Sequence, residues 1–403
     1  MIQSLIKPYK GLTREIWYLS FITLVNRAGA MVIPFLSLYL NKHLHFTLDD
    51  VGWIMTAFGL GSAAGSFTGG KLTDKFGYLR VMVSSLILTG LVFFGLQFFT
   101  QFWHLAVGVF TLSLVADTYR PAIWVAMDAY SNENNRTRSV TLIRLAINLG
   151  FAVGPALGGL IIANIGYFEL FWIDGATSII AGVLLMYLIV QKKKKKGIIP
   201  EKQSAPTLSP YRDIPYLIFI ISIAFMGIAF LQFNSTMPIY FNRELGMSEE
   251  QIGLLLALNG GLIFLLEMPL VHYLEKIKKP TLLITIYGVA LFVLSFLVLN
   301  IAPIIFFPIL SMIFLTLGEM ISFPFSNTFA MQRAQKGKKG DYMALYTLTF
   351  SIGHIFGPNL GMHISKSFGF QVTWFVMAGI MTLSALILYF LKTKLMKNSK
   401  MNN

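Results

Sequence analysis

Twelve continuous apolar runs, each roughly 20 residues long, decide what this chain can fold into. They lie at Ile16–Leu40, Val51–Leu72, Leu79–Phe99, Trp103–Ala129, Thr141–Ile165, Phe168–Val190, Ile214–Phe241, Gln251–Tyr273, Thr281–Leu299, Pro303–Phe329, Tyr342–Ser365 and Val372–Leu391. About 20 helical residues cross a hydrocarbon core of about 30 Å. Such a core offers no water to unpaired backbone groups, so a continuous apolar run crosses it as a helix. Of the 403 residues, 55% are hydrophobic and only 12% charged, with a mean hydropathy of +0.67. Soluble domains carry about 25% charged residues, so a large aqueous globule is excluded. The 34 Gly and 35 Phe suit close-packed membrane helices. With no Cys, disulfides, thiolate chemistry and Cys-ligated metals are excluded. The expected fold is an all-α membrane protein of twelve transmembrane helices in two pseudo-symmetric six-helix bundles.

Charge placement gives the expected orientation. Of the 32 Lys and Arg, 26 fall on one side: the N-terminus, the loops after spans 2, 4, 8 and 10, the central linker and the tail. The opposite loops hold Lys42, Arg243 and Lys366, and Arg27, Arg120 and Arg144 lie inside spans. By the positive-inside rule both termini are cytoplasmic. The net charge of +14 is then chiefly an orientation signal, and no nucleic-acid partner is expected. Met1 to Glu15 contain no apolar core of signal-peptide length, so span 1 is expected to stay uncleaved. The short loops fit a bacterial inner membrane protein, expected as a monomer.

The chain reads as two halves, residues 1–190 and 214–403, joined by a basic cytoplasmic linker at 191–213. Lys192 to Lys196 within it anchor the topology and can contact anionic lipid. At an offset of 201, Tyr39, Asn41, Lys42, Leu44, Thr47 and Gly52 fall on Tyr240, Asn242, Arg243, Leu245, Ser248 and Gly253. At 203, Gly154-Pro155 falls on Gly357-Pro358, and at 202 Asp117 falls on Glu319. Repeated halves of six spans fit two bundles rocking about a site near the membrane midplane.

Ionisable groups inside spans mark candidate sites, because each is costly in lipid and tends to face a bundle interior or a solute path. Asp117, Arg120 and Trp124 have i, i+3, i+7 spacing and share a helix face. Asp117 is the first proton-coupling candidate; the alternative is a static ion pair that fixes packing. Arg144 and Asn148 form an i, i+4 pair suited to clamping a carboxylate or to an interhelical hydrogen bond. Arg27, beside Asn26, sits too deep in span 1 to reach water comfortably and faces a solute or an acid such as Asp117. In the second half, Glu319 and Glu267 are the carboxylates able to exchange protons, with Glu319 ranked first as the repeat mate of Asp117. His354 is a weaker solute contact, for which a packing role is the rival. Tyr39, Gln232 and Asn234 would add polar anchors to a largely apolar pocket. Gly59, Gly61 and Gly65 lie within a span with no Lys-Ser or Lys-Thr after them, so they read as a helix-packing stripe rather than a phosphate cradle. No HExxH or GxSxG motif occurs, and no enzyme is expected.

These features resemble the major facilitator superfamily. Gly69 to Val81, GGKLTDKFGYLRV, is similar to that family's loop between helices 2 and 3, and Leu270 to Thr281 is its degenerate echo. Gly154-Pro155 with Gly158-Gly159 resembles the helix-5 motif of bacterial drug:proton antiporters, and Arg120-Pro121 and Arg144 to Gly150 support the same group. The resemblance implies a conformational role for Gly70, Asp74, Lys75, Gly77 and Arg80, with Asp128 and Arg138 as partners in a charge lock, and for Gly154, Pro155, Gly158 and Gly159. A second resemblance, to proton-coupled oligopeptide symporters, rests on Asn26 to Leu44, the Ile147-to-Gly150 run and Leu317-Gly318-Glu319. Those symporters carry a double-Glu motif where this chain has Asn26-Arg27. The expected function is proton-coupled export of a small organic solute by alternating access, with no cofactor beyond the proton gradient. The alternative is symport of peptides or a metal-chelating metabolite.

Overall fold

The computed structural model describes residues 11–132, 135–191, 208–277, 279–335, 337 and 339–401. Lys192 to Lys196 lie outside the described residues. Helices α1 (Arg14–Ala28) and α2 (Val32–Leu38) form span 1, and α2 runs into a π-helical turn at Tyr39–His43. Next come α3 (Leu48–Phe76), α4 (Tyr78–Leu96), α5 (Phe102–Asp117), α6 (Tyr119–Tyr130), α7 (Arg136–Asn164) and α8 (Phe168–Leu188). The later part contains α9 (Ile214–Phe230), a 3-10 turn (Leu231–Asn234), α10 (Thr236–Arg243), α11 (Glu249–Lys276), α12 (Thr281–Val298), α13 (Phe306–Ala334) and α14 (Lys339–Met401). Among the described residues there is no strand.

Among the described residues, ten helical stretches are long and apolar enough to cross a membrane. One of them, Gly340–Lys397, holds two spans, because α14 bends at Gly369, where φ is 83°. That left-handed geometry strains any residue with a Cβ, so Gly is the natural bend point. The twelfth is α3, whose Gly, Ser and Thr content lowers its hydropathy. Span 4 is divided at Thr118 because Pro121 has no N–H to return to the Asp117 carbonyl. A Gly77 φ of 86° separates α3 from α4.

The helices fall into two compact units. One comprises residues 1–39, 57–197 and 248–264, the other 40–56, 198–247 and 265–403. The core of the first gathers Ile16, Leu19 and Ile22 of α1 with Val81, Met82, Leu86, Ala122, Ile123, Met127, Ile143, Ala181 and Leu185. At one end of this unit the Tyr78 hydroxyl donates to that of Tyr130 (2.9 Å), which donates to the Val190 carbonyl (2.5 Å). In the other unit, Ser222 meets Ser384 and Ser295 meets Ser311 at 2.8 and 2.9 Å, pairing hydroxyls that lipid could not satisfy. Asp213 is that unit's strongest polar tie. It accepts from Arg333 Nε (2.8 Å) and Nη2 (2.5 Å), from the Tyr342 hydroxyl (3.1 Å) and from the Tyr216 amide (3.3 Å). Burial alone would raise the Asp213 carboxyl; the bonds and charge of Arg333, with Tyr342 and Tyr216, outweigh it and hold the group below the usual carboxylate range.

Candidate functional site

Close helix packing builds the site in the first unit. On α3, Gly61, Gly65 and Gly69 repeat every four residues and lie against Phe110 and Ser113, Leu114, and Thr118 with Pro121 respectively. A Cβ at any of the three would run into those atoms, so only Gly lets α3 approach this closely. Of the stripe expected at Gly59, Gly61 and Gly65, the last two make this contact, and Gly69 extends it by one step. Its consequence is local: Ser62, next to Gly61, hydrogen-bonds the Asp117 carboxylate from α3.

Asp117 also pairs with Arg120, whose Nη2 is 3.3 Å from Oδ1. The Asp117 side chain is 13% exposed and that of Arg120 50%. Arg120 is the less enclosed partner, so packing does not lock its guanidinium on the acid. The Asp213–Arg333 pair, at 1% and 13% exposure, is a strut by comparison. The Asp117 carboxylate is thus held by a hydroxyl from α3 and a guanidinium from its own span.

Arg27, at the last turn of α1, lies with its guanidinium carbon 5.7 Å from the centre of the Phe151 ring on α7. Its electrostatic neighbours are Arg120, Asp117 and Tyr119. The three expected groups Arg27, Asp117 and Arg120 thus influence one another. The α7 glycines explain how Arg27 gets there. Gly150 faces Arg27, Gly154 faces the carbonyls of Arg27, Ala28 and Ala30 at 3.2–3.4 Å from a Cβ position, and Gly158 faces Met31 and Phe35. The other face of the same motif packs on α11: Gly159 lies against Glu249, Glu250 and Gly253, and the Pro155 carbonyl lies against Gly253. Arg144 is exposed and Asn148 half-buried on α7.

In the second unit, Glu267 on α11, Glu319 on α13 and His354 on α14 are each half-buried. Asn234 ends the 3-10 turn and is half-buried, and Trp124 is exposed on α6.

Several expectations need correction. Tyr39 is 2% exposed and packs its ring on Tyr167 and Phe171, with centroids 5.5 and 5.3 Å away, as a packing residue. Gln232 is fully enclosed. Its amide donates to the Gly357 (2.7 Å) and Ile228 (3.1 Å) carbonyls and accepts from Thr236 (2.5 Å). It holds the 3-10 turn in span 7 onto α14. Asp128 pairs with Arg136 at 2.8 Å, both well exposed, which ties it to the start of α7. Lys75 stacks on Phe76, Asp74 and Arg80 are exposed, and Gly70 has open space where a Cβ would stand.

Sequence reasoning passes over Asp174. It lies inside span 6, so the rule that singles out Asp117 applies to it equally. The structure buries it to 1% exposure against the interruption of span 1. Sequence reasoning also passes over two ties at the ends bearing the 41–47 and 244–247 turns. Tyr167 donates to Glu249 at 3.0 Å. Asp49 meets Lys366, and His363 Nδ1 at 3.3 Å.

Comparison with known proteins supplies the family. The family model described as Major Facilitator Superfamily matches residues 19–358. The chain is 26% identical over 366 residues to the uncharacterized MFS-type transporter YqjV of Bacillus subtilis, covering 88% of this chain and 87% of that protein. It is 23% identical to a Na(+), Li(+), K(+)/H(+) antiporter of Planococcus maritimus, covering 90% and 92%. With the quinolone resistance protein NorA of Staphylococcus aureus it shares 26% identity over 63% of this chain and 64% of that protein. A POT family transporter solved in complex with 5-aminolevulinic acid superposes with a TM-score of 0.81 at 16% identity, covering 96% and 97%; at that identity the likeness is one of fold. The chain belongs to the major facilitator superfamily. It is a multi-pass membrane transporter rather than an enzyme.

Proposed function

We propose that this member of the major facilitator superfamily exports a small organic solute in exchange for protons by alternating access. The observation that carries the reading is the Ser62–Asp117–Arg120 cluster: an acid within an apolar span, largely enclosed, with a guanidinium partner that packing leaves half exposed. With Asp117 ionised, Arg120 is engaged and a cationic or polar solute has a carboxylate to meet. With Asp117 protonated, Arg120 is released and the solute loses that partner. A proton and a solute that compete for one carboxylate are coupled in opposite directions, as exchange requires. Glu319 and then Glu267 are the corresponding groups of the second half. Two relatives support this direction, one named as a cation/proton antiporter and one as a quinolone resistance protein. The proton gradient supplies the energy, both termini face the cytoplasm of a bacterial inner membrane, and residues 1–190 and 214–403 are the moving halves of a monomer. The Lys192–Lys196 run contacts anionic lipid.

The test is proton-coupled transport of ethidium and norfloxacin in proteoliposomes by wild type, Asp117→Asn and Glu319→Gln. Loss of pH-gradient-driven accumulation in Asp117→Asn, with gradient-free exchange retained, supports the assignment. Unchanged coupling in both variants refutes it.

One observation favours a second reading. In the sequence, Arg27, Arg120 and Arg144 fall in the N-terminal half, and Glu267 and Glu319 in the C-terminal half. That charge pattern suits a zwitterionic solute, and symport of a peptide-like or chelating metabolite is the form it takes. Accumulation of a dipeptide driven by an alkaline lumen selects it.

A further inference from the structure

Span 1 is interrupted between α1 and α2, and Asp174 of α8 closes the gap. Its Oδ1 accepts from the Met31 amide at 2.9 Å, and its Oδ2 accepts from the Met31 and Val32 amides at 3.0 and 2.8 Å. Val32 opens the helical run that continues to His43, so its N–H has no intrahelical acceptor and needs one from elsewhere. The same face of α8 follows α1 back along its length. Thr177 lies against Gly29, where a Cβ would collide with it, and Ser178 accepts from the Asn26 side-chain amide at 3.3 Å. On the opposite side, Gly150, Gly154 and Gly158 of α7 press on Arg27, the Arg27–Ala30 backbone and Met31. The turn that carries Arg27 is clamped between α7 and α8, and Asp174 is the one carboxylate in the clamp.

The titratable side chains on the elements packed against α8 are Arg14, Glu15, Tyr18 and Arg27 on α1, Tyr39 after α2, Tyr78 and Arg80 on α4, and Arg136, Arg138 and Arg144 on α7. Among the described residues, none of them forms a hydrogen bond or ion pair with Asp174. An enclosed carboxylate without a cation is costly, and two backbone amides are what hold this one. The dependence runs both ways. An ionised carboxylate gives both amides charge-assisted bonds, whereas a protonated one still accepts at Oδ2 but only with the weaker bonds of a neutral group.

We propose that Asp174 is a positioning residue of the solute site: its ionised carboxylate fixes the interruption of span 1, and with it Arg27, and uptake of a proton at Asp174 releases that turn. This deepens the proposed function and rests on Arg27 belonging to the solute site. Amide hydrogen exchange over residues 29–33 tests the positioning without reference to any solute. In wild type, exchange corrected for its intrinsic pH dependence rises on acidification as the carboxylate takes up a proton. In Asp174→Asn it is faster by about tenfold or more and independent of pH. Wild-type protection that is flat with pH, or an Asp174→Asn variant as protected as wild type, overturns the proposal. The wild-type profile decides even if the variant fails to fold. A transport arm addresses Arg27, with ethidium as probe. Asp174→Asn raises the apparent KM with little change in the maximal rate, and adds nothing further in an Arg27→Gln background. Independent, additive effects assign Asp174 to general stability instead and refute its action through Arg27. If wild type moves none of the probes, the export reading fails, while the exchange result still stands or falls alone.

Discussion

Replacing Arg333 by Gln tests whether the Asp213 cluster is a structural strut. Asp213 is 1% exposed and receives four hydrogen bonds, two of them from Arg333. Removing one partner of a buried pair costs about 3–5 kcal/mol, because the remaining charge is left uncompensated. Here the Arg333 side chain keeps 13% exposure, and Tyr342 and Tyr216 still donate to the carboxylate. We therefore expect about 2–3 kcal/mol. The sign of the pH dependence follows from the depressed Asp213 carboxyl. Its contribution is fully present above the unfolded-state value of about 3.9 and is lost as pH falls through the folded-state value. In Arg333→Gln the carboxyl is no longer held down, so acid loss of stability begins at a higher pH than in wild type. Reversible unfolding in mixed micelles between about pH 3 and pH 7 measures both effects. Adding Asp213→Asn to Arg333→Gln restores part of the loss, since the orphaned charge is gone. A single variant within about 0.5 kcal/mol of wild type at neutral pH, or an unshifted acid limb, refutes the reasoning.

Lys366→Gln has a small effect by the same logic. The pair with Asp49 is 50% and 30% exposed, so the loss is under about 1 kcal/mol and shrinks further in high salt; a loss above about 2 kcal/mol contradicts this. Asp49 is held below the usual carboxylate range by its bond from Lys366, which with His363 outweighs burial. The contribution is therefore lost as pH falls below the unfolded carboxylate value of about 3.9. Gly159→Leu and Gly70→Ala form a matched contrast. The first drives a side chain into Glu249 and the 3.1 Å approaches of Glu250 and Gly253, costing at least about 2–3 kcal/mol or blocking assembly. The second meets open space and gains up to about 1 kcal/mol of helix propensity. Equal thermal stabilities of the two variants contradict the packing account.

Much of the fold is legible in the sequence because hydropathy in lipid leaves few solutions. The twelve apolar runs correspond to helices, although span 4 reads as one continuous run and only the structure divides it at Thr118. Partners are less legible. The i, i+3 spacing of Asp117 and Arg120 foretells their contact, since the division at Thr118 leaves them about one turn apart in the same span. Asp117 with Ser62 depends on a glycine stripe that sets how closely two helices approach. Asp128 has basic residues at several distances in sequence, and only the turn geometry selects Arg136. Tyr39 and Gln232 read as pocket residues because polar groups in spans suggest solute contact. Their actual roles, ring packing and closing a 3-10 turn, follow from the interruptions in spans 1 and 7. The helix-5 motif is similar: its pattern marks close packing, but not that Gly154 and Gly158 serve α1 and α2 while Gly159 serves α11.

Proton-driven accumulation in proteoliposomes, with a pH gradient imposed in each direction and protein-free vesicles as the control for passive trapping, tests the central claim most directly. Proton exchange at Asp117 predicts protein-dependent accumulation of ethidium or norfloxacin only when the lumen is acidic, with the effect lost in Asp117→Asn. Accumulation only when the lumen is alkaline, or accumulation indifferent to the gradient, contradicts it.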